Sequence, residues 1–241
     1  MPGQRLLLSA RGAAHFAPPA VIVNTDIPGL AGHPDRLPSS PNADDEEYDV
    51  AVDAAWALFG SGSPTQDITT PSHLHLTAPA SASVLLRGYR RAIPSMPFTV
   101  TTKISAHTLD NTQTHAPFVG LAVSEAATGK SFHLILNLTG SSNNVSIKTQ
   151  FWSNLTGGTI TDQHATPTSK GLALLRPIYL RMVVTNATTI RTYFSYDGLL
   201  YNPTFTATEN PGFTFDKVGY ALYAATLSTS VELMSDWFRF T

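Results

Sequence analysis

The sequence predicts an all-β protein, a two-sheet antiparallel sandwich built from short strands. Apolar residues alternate with a period of two in one run after another, which is the pattern of strands with one buried face. Turn signals separate the runs at near-hairpin spacing, so that neighbours in sequence pair antiparallel. No stretch carries the period of a helix of ordinary length, and no internal repeat is visible.

Composition agrees with this class. The chain has 241 residues and 42% hydrophobic content, enough for one large sandwich with its own core. It contains no cysteine, so stability has to come from packing rather than from a disulfide framework. Charged residues make up 13%, against about a quarter in typical domains, and the net charge is −2. Neither a nucleic-acid footprint nor a polybasic membrane patch fits such a balance.

Residues 1–45 are rich in proline and glycine, from Pro2 and Gly3 to Pro41, with only Ala20 to Asn24 suited to a short strand. Such a segment buries too little apolar area to offset its own ordering entropy. It reads as an extended anchoring arm laid along a partner, or else packed back on its own domain. The Leu6-Leu7-Leu8 run is interrupted by Arg11 before the apolar region of a signal peptide can form, so synthesis in a cytosol is expected.

Residues 46–241 form the sandwich domain. An acidic-aromatic start, Asp44-Asp45-Glu46-Glu47-Tyr48-Asp49, precedes Trp56; its acids alternate in direction along a strand and read as solvated charge rather than as a cation site. After His73 to Leu76 and Ser83 to Leu86 comes the most basic stretch, Arg87-Gly88-Tyr89-Arg90-Arg91. Phe98 to Ile104, Phe118 to Val123, Phe132 to Leu138 and Val145 to Trp152 each alternate apolar and polar or small residues. The clearest unit is a hairpin in which Ile178, Leu180, Met182 and Val184 precede a break at Asn186-Ala187, followed by Ile190, Thr192, Phe194 and Tyr196. Asp197-Gly198 then supplies a turn and Leu199 to Tyr201 restart an apolar run. Val218 to Ala224 and Leu233 to Phe240 close the chain. Phe132, Leu134, Leu136, Ile190, Phe194 and Trp237 are expected to be buried between or against the sheets.

Three stretches carry a resemblance to a known family: D-D-E-E-Y-D with Trp56, the hairpin Y-L-R-M-V-V to T-I-R-T-Y-F-S-Y-D-G, and the ending K-V-G-Y-A-L-Y to V-E-L-M-S-D-W-F-R-F. Together they resemble the concanavalin A-like lectin/glucanase jelly-roll superfamily, in particular its non-catalytic sandwich domains in bacteriophage tail proteins and as glycosidase accessory domains. Gly219, Tyr220, Asp236, Trp237, Phe238 and Arg239 fall at the closing signature, and the likeness spans residues 44 to 241. It implies a two-sheet antiparallel jelly-roll sandwich carrying an extended N-terminal arm.

Catalysis finds little support. Jelly-roll glycosidases place carboxylates at alternate positions of one strand so that one attacks and another donates a proton. The nearest pair here, Glu232 and Asp236, is four apart, and Asp236 lies in the closing signature. His73 and His75 share a strand face without a third ligand nearby, no G-x-S-x-G elbow is present, and no glycine pair leads into a phosphate loop. No enzyme activity, metal or cofactor is expected.

Sugar recognition combines an aromatic platform with amide, guanidinium or carboxylate groups. The polar faces of the middle strands offer Trp152, Gln150, Lys148, His133, Asn137, Arg191 and Tyr193, with Arg181 on the same list and Arg87 or Tyr89 as additions. Trp152 either forms the platform or covers the rim of the sandwich. Four asparagines, Asn137, Asn144, Asn154 and Asn186, begin glycosylation sequons that are expected to stay unmodified.

With the resemblance, these features lead to a non-enzymatic virion structural or adhesion protein, of the phage minor tail or fibre type, whose arm holds other assembly subunits while the sandwich faces a host-surface glycan. A homo-oligomer is compatible with that role; nucleic-acid binding and membrane insertion are not expected. The alternatives are a secreted or cell-surface carbohydrate-binding module or degenerate glycosidase domain, and a purely architectural decoration protein.

Overall fold

A computed structural model describes residues 45, 46, 48, 54–60, 65–67, 73–80, 85–108, 117–139, 144–154, 160–165, 177–204, 208–223 and 230–241. The anchoring arm expected over residues 1–45 lies outside them, apart from Asp45. Among the described residues there is no helix.

The strands are β1 (Ala57–Gly60), β2 (Thr65–Asp67), β3 (Leu74–Ala78), β4 (Leu86–Ala92), β5 (Phe98–Thr108), β6 (Phe118–Ser124), β7 (Ser131–Thr139), β8 (Asn144–Trp152), β9 (Ile160–Ala165), β10 (Ile178–Asn186), β11 (Thr189–Ser195), β12 (Asn202–Pro203), β13 (Lys217–Tyr223) and β14 (Val231–Phe240). They form two seven-stranded sheets, sheet I in the order β1-β4-β13-β6-β7-β8-β9 and sheet II in the order β12-β11-β10-β5-β14-β3-β2. Every pairing is antiparallel.

The period-two pattern decides which side chains meet between the sheets. Val119, Leu121 and Val123 of β6, Phe132, Leu134, Leu136 and Leu138 of β7, and Val218, Tyr220 and Leu222 of β13 point inward from sheet I. Val100 and Ile104 of β5, Leu180, Met182 and Val184 of β10, and Leu233, Phe238 and Phe240 of β14 meet them from sheet II. Of the residues expected to be buried, Phe132, Leu134, Leu136 and Ile190 lie in this core, Phe194 packs half-buried against it, and Trp237 is buried on the other side of sheet II.

Two acids of the start, Asp45 and Glu46, are engaged in the fold rather than left as solvated charge. Glu46 is buried and forms a backbone bridge with Phe238, and the Asp45 carboxylate accepts the Phe240 N–H at 2.7 Å. This closes the N-terminal end of the domain onto β14, and Tyr48 and Trp56 then enter the core. Trp56 stacks on Tyr89 and Tyr220 and meets Phe238 edge-on at 4.9 Å.

A polar knot ties the layers inside the core. The Tyr48 hydroxyl donates to that of Tyr220 at 2.9 Å, Tyr220 lies 2.7 Å from the Ser235 hydroxyl, and Thr102 donates to the Trp237 carbonyl at 2.7 Å. Burial pushes both tyrosine hydroxyls well above the ordinary tyrosine range, so they stay protonated and keep their bonds. The knot sits at a bulge in β14: the register against β5 shifts between Ser235 and Trp237, so Ser235 faces inward while Asp236 and Trp237 both face outward.

The basic stretch is itself a strand, β4, and its arginines diverge. Arg87 is buried and donates to the Pro79 carbonyl, Arg91 lies over the Phe240 ring, and Arg90 lies over Phe59 on the opposite face of sheet I. Tyr89 is buried in the core, so neither Arg87 nor Tyr89 joins a surface site.

Gly120 is required where β6 crosses close to β7. A Cβ there would overlap the Leu134 carbonyl oxygen and come within 2.7 Å of the Ile135 Cα. Because these are backbone atoms of a paired strand, Gly120→Ala is expected to cost about 1–3 kcal/mol, the scale of overpacking. Chemical denaturation measures this, and an unchanged midpoint would mean that the strands part freely.

Candidate functional site

The seven residues that the sequence nominates for glycan binding divide between the sheets. His133 and Asn137 on β7 and Lys148, Gln150 and Trp152 on β8 share the outer face of sheet I, where His133 is opposite Gln150 and Trp152 opposite Ser131. Arg191 and Tyr193 are on β11, on the outer face of sheet II. No single surface holds all seven.

The sheet I face is not a solvated polar surface. Trp152 and His133 are 0% exposed, and Asn137 and Gln150 are buried as well. The Trp152 ring meets Tyr223 at 5.2 Å and Phe118 at 5.9 Å, both edge-on, and Phe118 stacks on Tyr223 at 5.2 Å. With Phe59, Leu86, Ala122, Ile135 and Ala221 these rings form a second apolar cluster, separate from the main core. His133 lies against Phe118 and Trp152, and neither of its ring nitrogens has a hydrogen-bond partner among the described residues. Desolvation pushes its pKa down to about 3, so the imidazole is neutral. Asn137 donates from its amide to the Ser146 hydroxyl at 3.4 Å, and its burial closes that sequon to modification.

The outer face of sheet II is different. Arg181 on β10 is directly opposite Tyr193 on β11, and Arg191 is opposite Val183. The Arg181 guanidinium lies 3.4 Å from the Tyr201 ring centroid and its Nε donates to the Thr101 hydroxyl at 3.1 Å, so its orientation is fixed from two sides. Arg181, Tyr193 and Tyr201 are half-buried and Arg191 is exposed. Further across the sheet, Trp237 and Tyr179 are buried side by side, with Arg239 over Trp237 and Lys103 over Tyr179.

The loop after β11 borders this face. Gly198 takes a φ of +74°, as the Asp-Gly pair predicts. The Asp197 carboxylate accepts the N–H groups of Leu199 and Leu200 at 2.8 and 2.9 Å and the Ser195 hydroxyl at 2.9 Å. The Leu200 and Leu199 N–H groups, together with that hydroxyl, hold its carboxyl below the ordinary aspartate value. The apolar run expected at Leu199 to Tyr201 does not enter the core: Leu199 and Leu200 are exposed, as is Tyr196, and Tyr201 turns back onto Arg181.

The carboxylates and histidines considered for chemistry are paired off on the same face of sheet II. His73 and Lys103 contact Asp236 at 3.0 and 2.8 Å, and His75 contacts Glu232 at 3.3 Å. The two imidazoles therefore engage different carboxylates. Among the described residues no group of three or more His, Asp or Glu side chains is gathered to hold a metal ion.

Neither a protein-family model nor a curated protein matches the sequence. Solved structures do match the fold. The carbohydrate-binding module CBM66 from Bacillus subtilis aligns over 77% of this chain and 95% of its own, at 10% identity and a TM-score of 0.50. A seed lectin from Lotus tetragonolobus aligns over 82% and 96%, at 8% identity and a TM-score of 0.50. The fold is the concanavalin A-like jelly roll. A functionally unknown Saccharomyces cerevisiae protein shares this jelly roll at a TM-score of 0.53 and 12% identity, over 78% of this chain and 96% of its own.

Within the jelly roll, sequence reasoning missed the contribution of Tyr201. Its only signal was the Asp-Gly turn three residues earlier, which reverses the chain toward the hairpin it has just left. Trp237 was expected to be buried, and it is, but the bulge at Asp236 places it on the outer face.

Proposed function

We propose that this chain is a non-catalytic glycan-recognition domain that binds through the β10–β11 region on the outer face of sheet II. The observation that carries this reading is the half-exposed Tyr193 ring beside the oriented Arg181 guanidinium, an aromatic platform with a fixed donor at its edge. Two proteins of similar fold are by name a carbohydrate-binding module and a lectin. A non-catalytic role agrees with the engagement of Glu232 and Asp236 by His75, His73 and Lys103, which leaves that pair poorly suited to acid and nucleophile duties.

Glycan-array binding by wild type and Tyr193→Ala tests the site. The variant is expected to lose about 1–3 kcal/mol of binding, the scale for an aromatic contact at a recognition site, while keeping its melting temperature. Equal binding by both proteins would remove Tyr193 from the site.

The finer reading, a virion adhesion protein made in a host cytoplasm and held in its assembly by the arm, is supported by the resemblance to bacteriophage tail domains and by the proline- and glycine-rich composition of the N-terminal residues. Because Asp45 caps the Phe240 N–H, the truncation should stop before it. Deleting residues 1–44 is expected to leave a folded domain that no longer enters its assembly, as sedimentation with purified particles would measure. Normal incorporation of the truncated chain would refute the anchor.

A further inference from the structure

The charge balance at this surface deepens the glycan reading, on which the following rests. Arg181 and Arg191 stand diagonally across the β10–β11 pair, with Tyr193 opposite one and two residues along the strand from the other. Residues so placed on one face are about 7–8 Å apart at their backbones, within reach of a single sugar residue and its substituents. No carboxylate among the described residues pairs with either guanidinium. The nearby acids are used elsewhere: the Asp197 carboxylate is turned onto the N–H groups of its own loop, and buried Glu209 accepts the Thr192 hydroxyl at 2.7 Å beneath the strand. Across the sheet, Asp236 is held by Lys103 and His73.

Two permanently charged forks with no counter-charge among the described residues, one of them locked in orientation by Thr101 and Tyr201, are a poor match for a neutral hydroxylated sugar. Each would have to give up water for hydroxyl contacts that return no charge. An anion offers charge-assisted, bidentate bonds in the plane of the guanidinium, and these are the stronger interactions. Tyr193, between the two arginines, supplies the apolar surface on which a pyranose ring lies.

The geometry points to an acidic glycan as the ligand, a sugar carrying carboxylate or sulfate groups that Arg181 and Arg191 bind while its ring rests on Tyr193. Binding therefore depends on salt, since at least part of the attraction is Coulombic between groups open to solvent. Arg191, which makes no bond among the described residues, contributes chiefly charge; Arg181 contributes charge in a fixed direction.

The test measures binding of the full chain to hyaluronan and heparin as carboxylated and sulfated probes, to dextran and mannan as neutral ones, and to phosphatidylserine vesicles, at low and at physiological salt. The expected result is binding to at least one acidic polysaccharide that weakens with salt, no comparable binding to the neutral ones, and a loss of about tenfold or more in affinity for Arg181→Gln and for Arg191→Gln. Arg191→Lys should keep part of the affinity, because the charge remains, whereas Arg181→Lys should not, because the fork is lost. Circular dichroism checks that each variant is folded. Binding to neutral polysaccharide, unmoved by salt or by either substitution, would overturn the acidic ligand and leave the glycan reading standing. Binding to no polysaccharide would overturn both. Capture by anionic vesicles alone would overturn both and assign the arginines, with exposed Leu199 and Leu200, to a lipid surface. Heparin binding indifferent to all of these substitutions would reduce the effect to diffuse charge and overturn the site.

Discussion

Trp152→Ala is expected to destabilise the domain by about 3–5 kcal/mol, the range for deleting a fully buried tryptophan. The side chain has no exposed surface, and it crosses β7 to meet Phe118 on β6 and Tyr223 on β13, two and three strands away from β8 in sheet I. Truncation would leave a void lined by Phe118, Tyr223 and the neutral His133, none of which can follow the missing ring without giving up the contacts between them. A loss of this size is a large fraction of the stability of a typical domain and should be plain in urea or thermal unfolding. Trp152→Phe, which keeps an aromatic ring in the cluster, should recover part of it. A midpoint for Trp152→Ala within experimental error of wild type would show that the ring is not packed as described.

That expectation shows where alternation alone becomes hard to read. The strands themselves were legible: Phe132, Leu134 and Leu136 alternate with His133, Ile135 and Asn137, and the structure sends the first set into the core and the second to the outer face. Alternation marks two faces but does not say whether the second meets water. His133, Asn137, Gln150 and Ser146 look like a solvated stripe because polar side chains usually mark one, yet all four are buried. The neighbourhood of Arg181, Arg191 and Tyr193 was easier to read, because β10 and β11 are joined by a short turn and their pairing is local. Membership of sheet I or sheet II for β8 depends on pairings with β7 and β9 and on a chain path that no local pattern encodes. Hence residues of two different faces entered one candidate site. Trp237 illustrates a further limit: its position follows from one inserted residue at the β14 bulge, and a period-two count run through Asp236 assigns it to the wrong side.

His133 makes stability depend on pH in a window set by its burial. In the unfolded chain its imidazole takes up a proton near the ordinary value of 6.5, whereas desolvation lowers the folded value to about 3. Above pH 6.5 the ring is neutral in both states and contributes no pH dependence. Below it the unfolded state binds the extra proton first, so stability falls with pH by up to about 1.4 kcal/mol per pH unit, until the folded ring also protonates. Wild type should therefore lose about 2 kcal/mol from this group between about pH 7 and about pH 5. His133→Leu, which cannot titrate and leaves no unpartnered nitrogen in the cluster, should lose correspondingly less over the same interval. Comparing the two proteins isolates this group, because every other ionisable side chain is common to both. Denaturant unfolding at the two pH values provides the measurement. Parallel pH dependence in wild type and His133→Leu would mean that the imidazole reaches water or finds a partner in solution, and that the outer face of sheet I opens more readily than the packing of Trp152, Phe118 and Tyr223 implies.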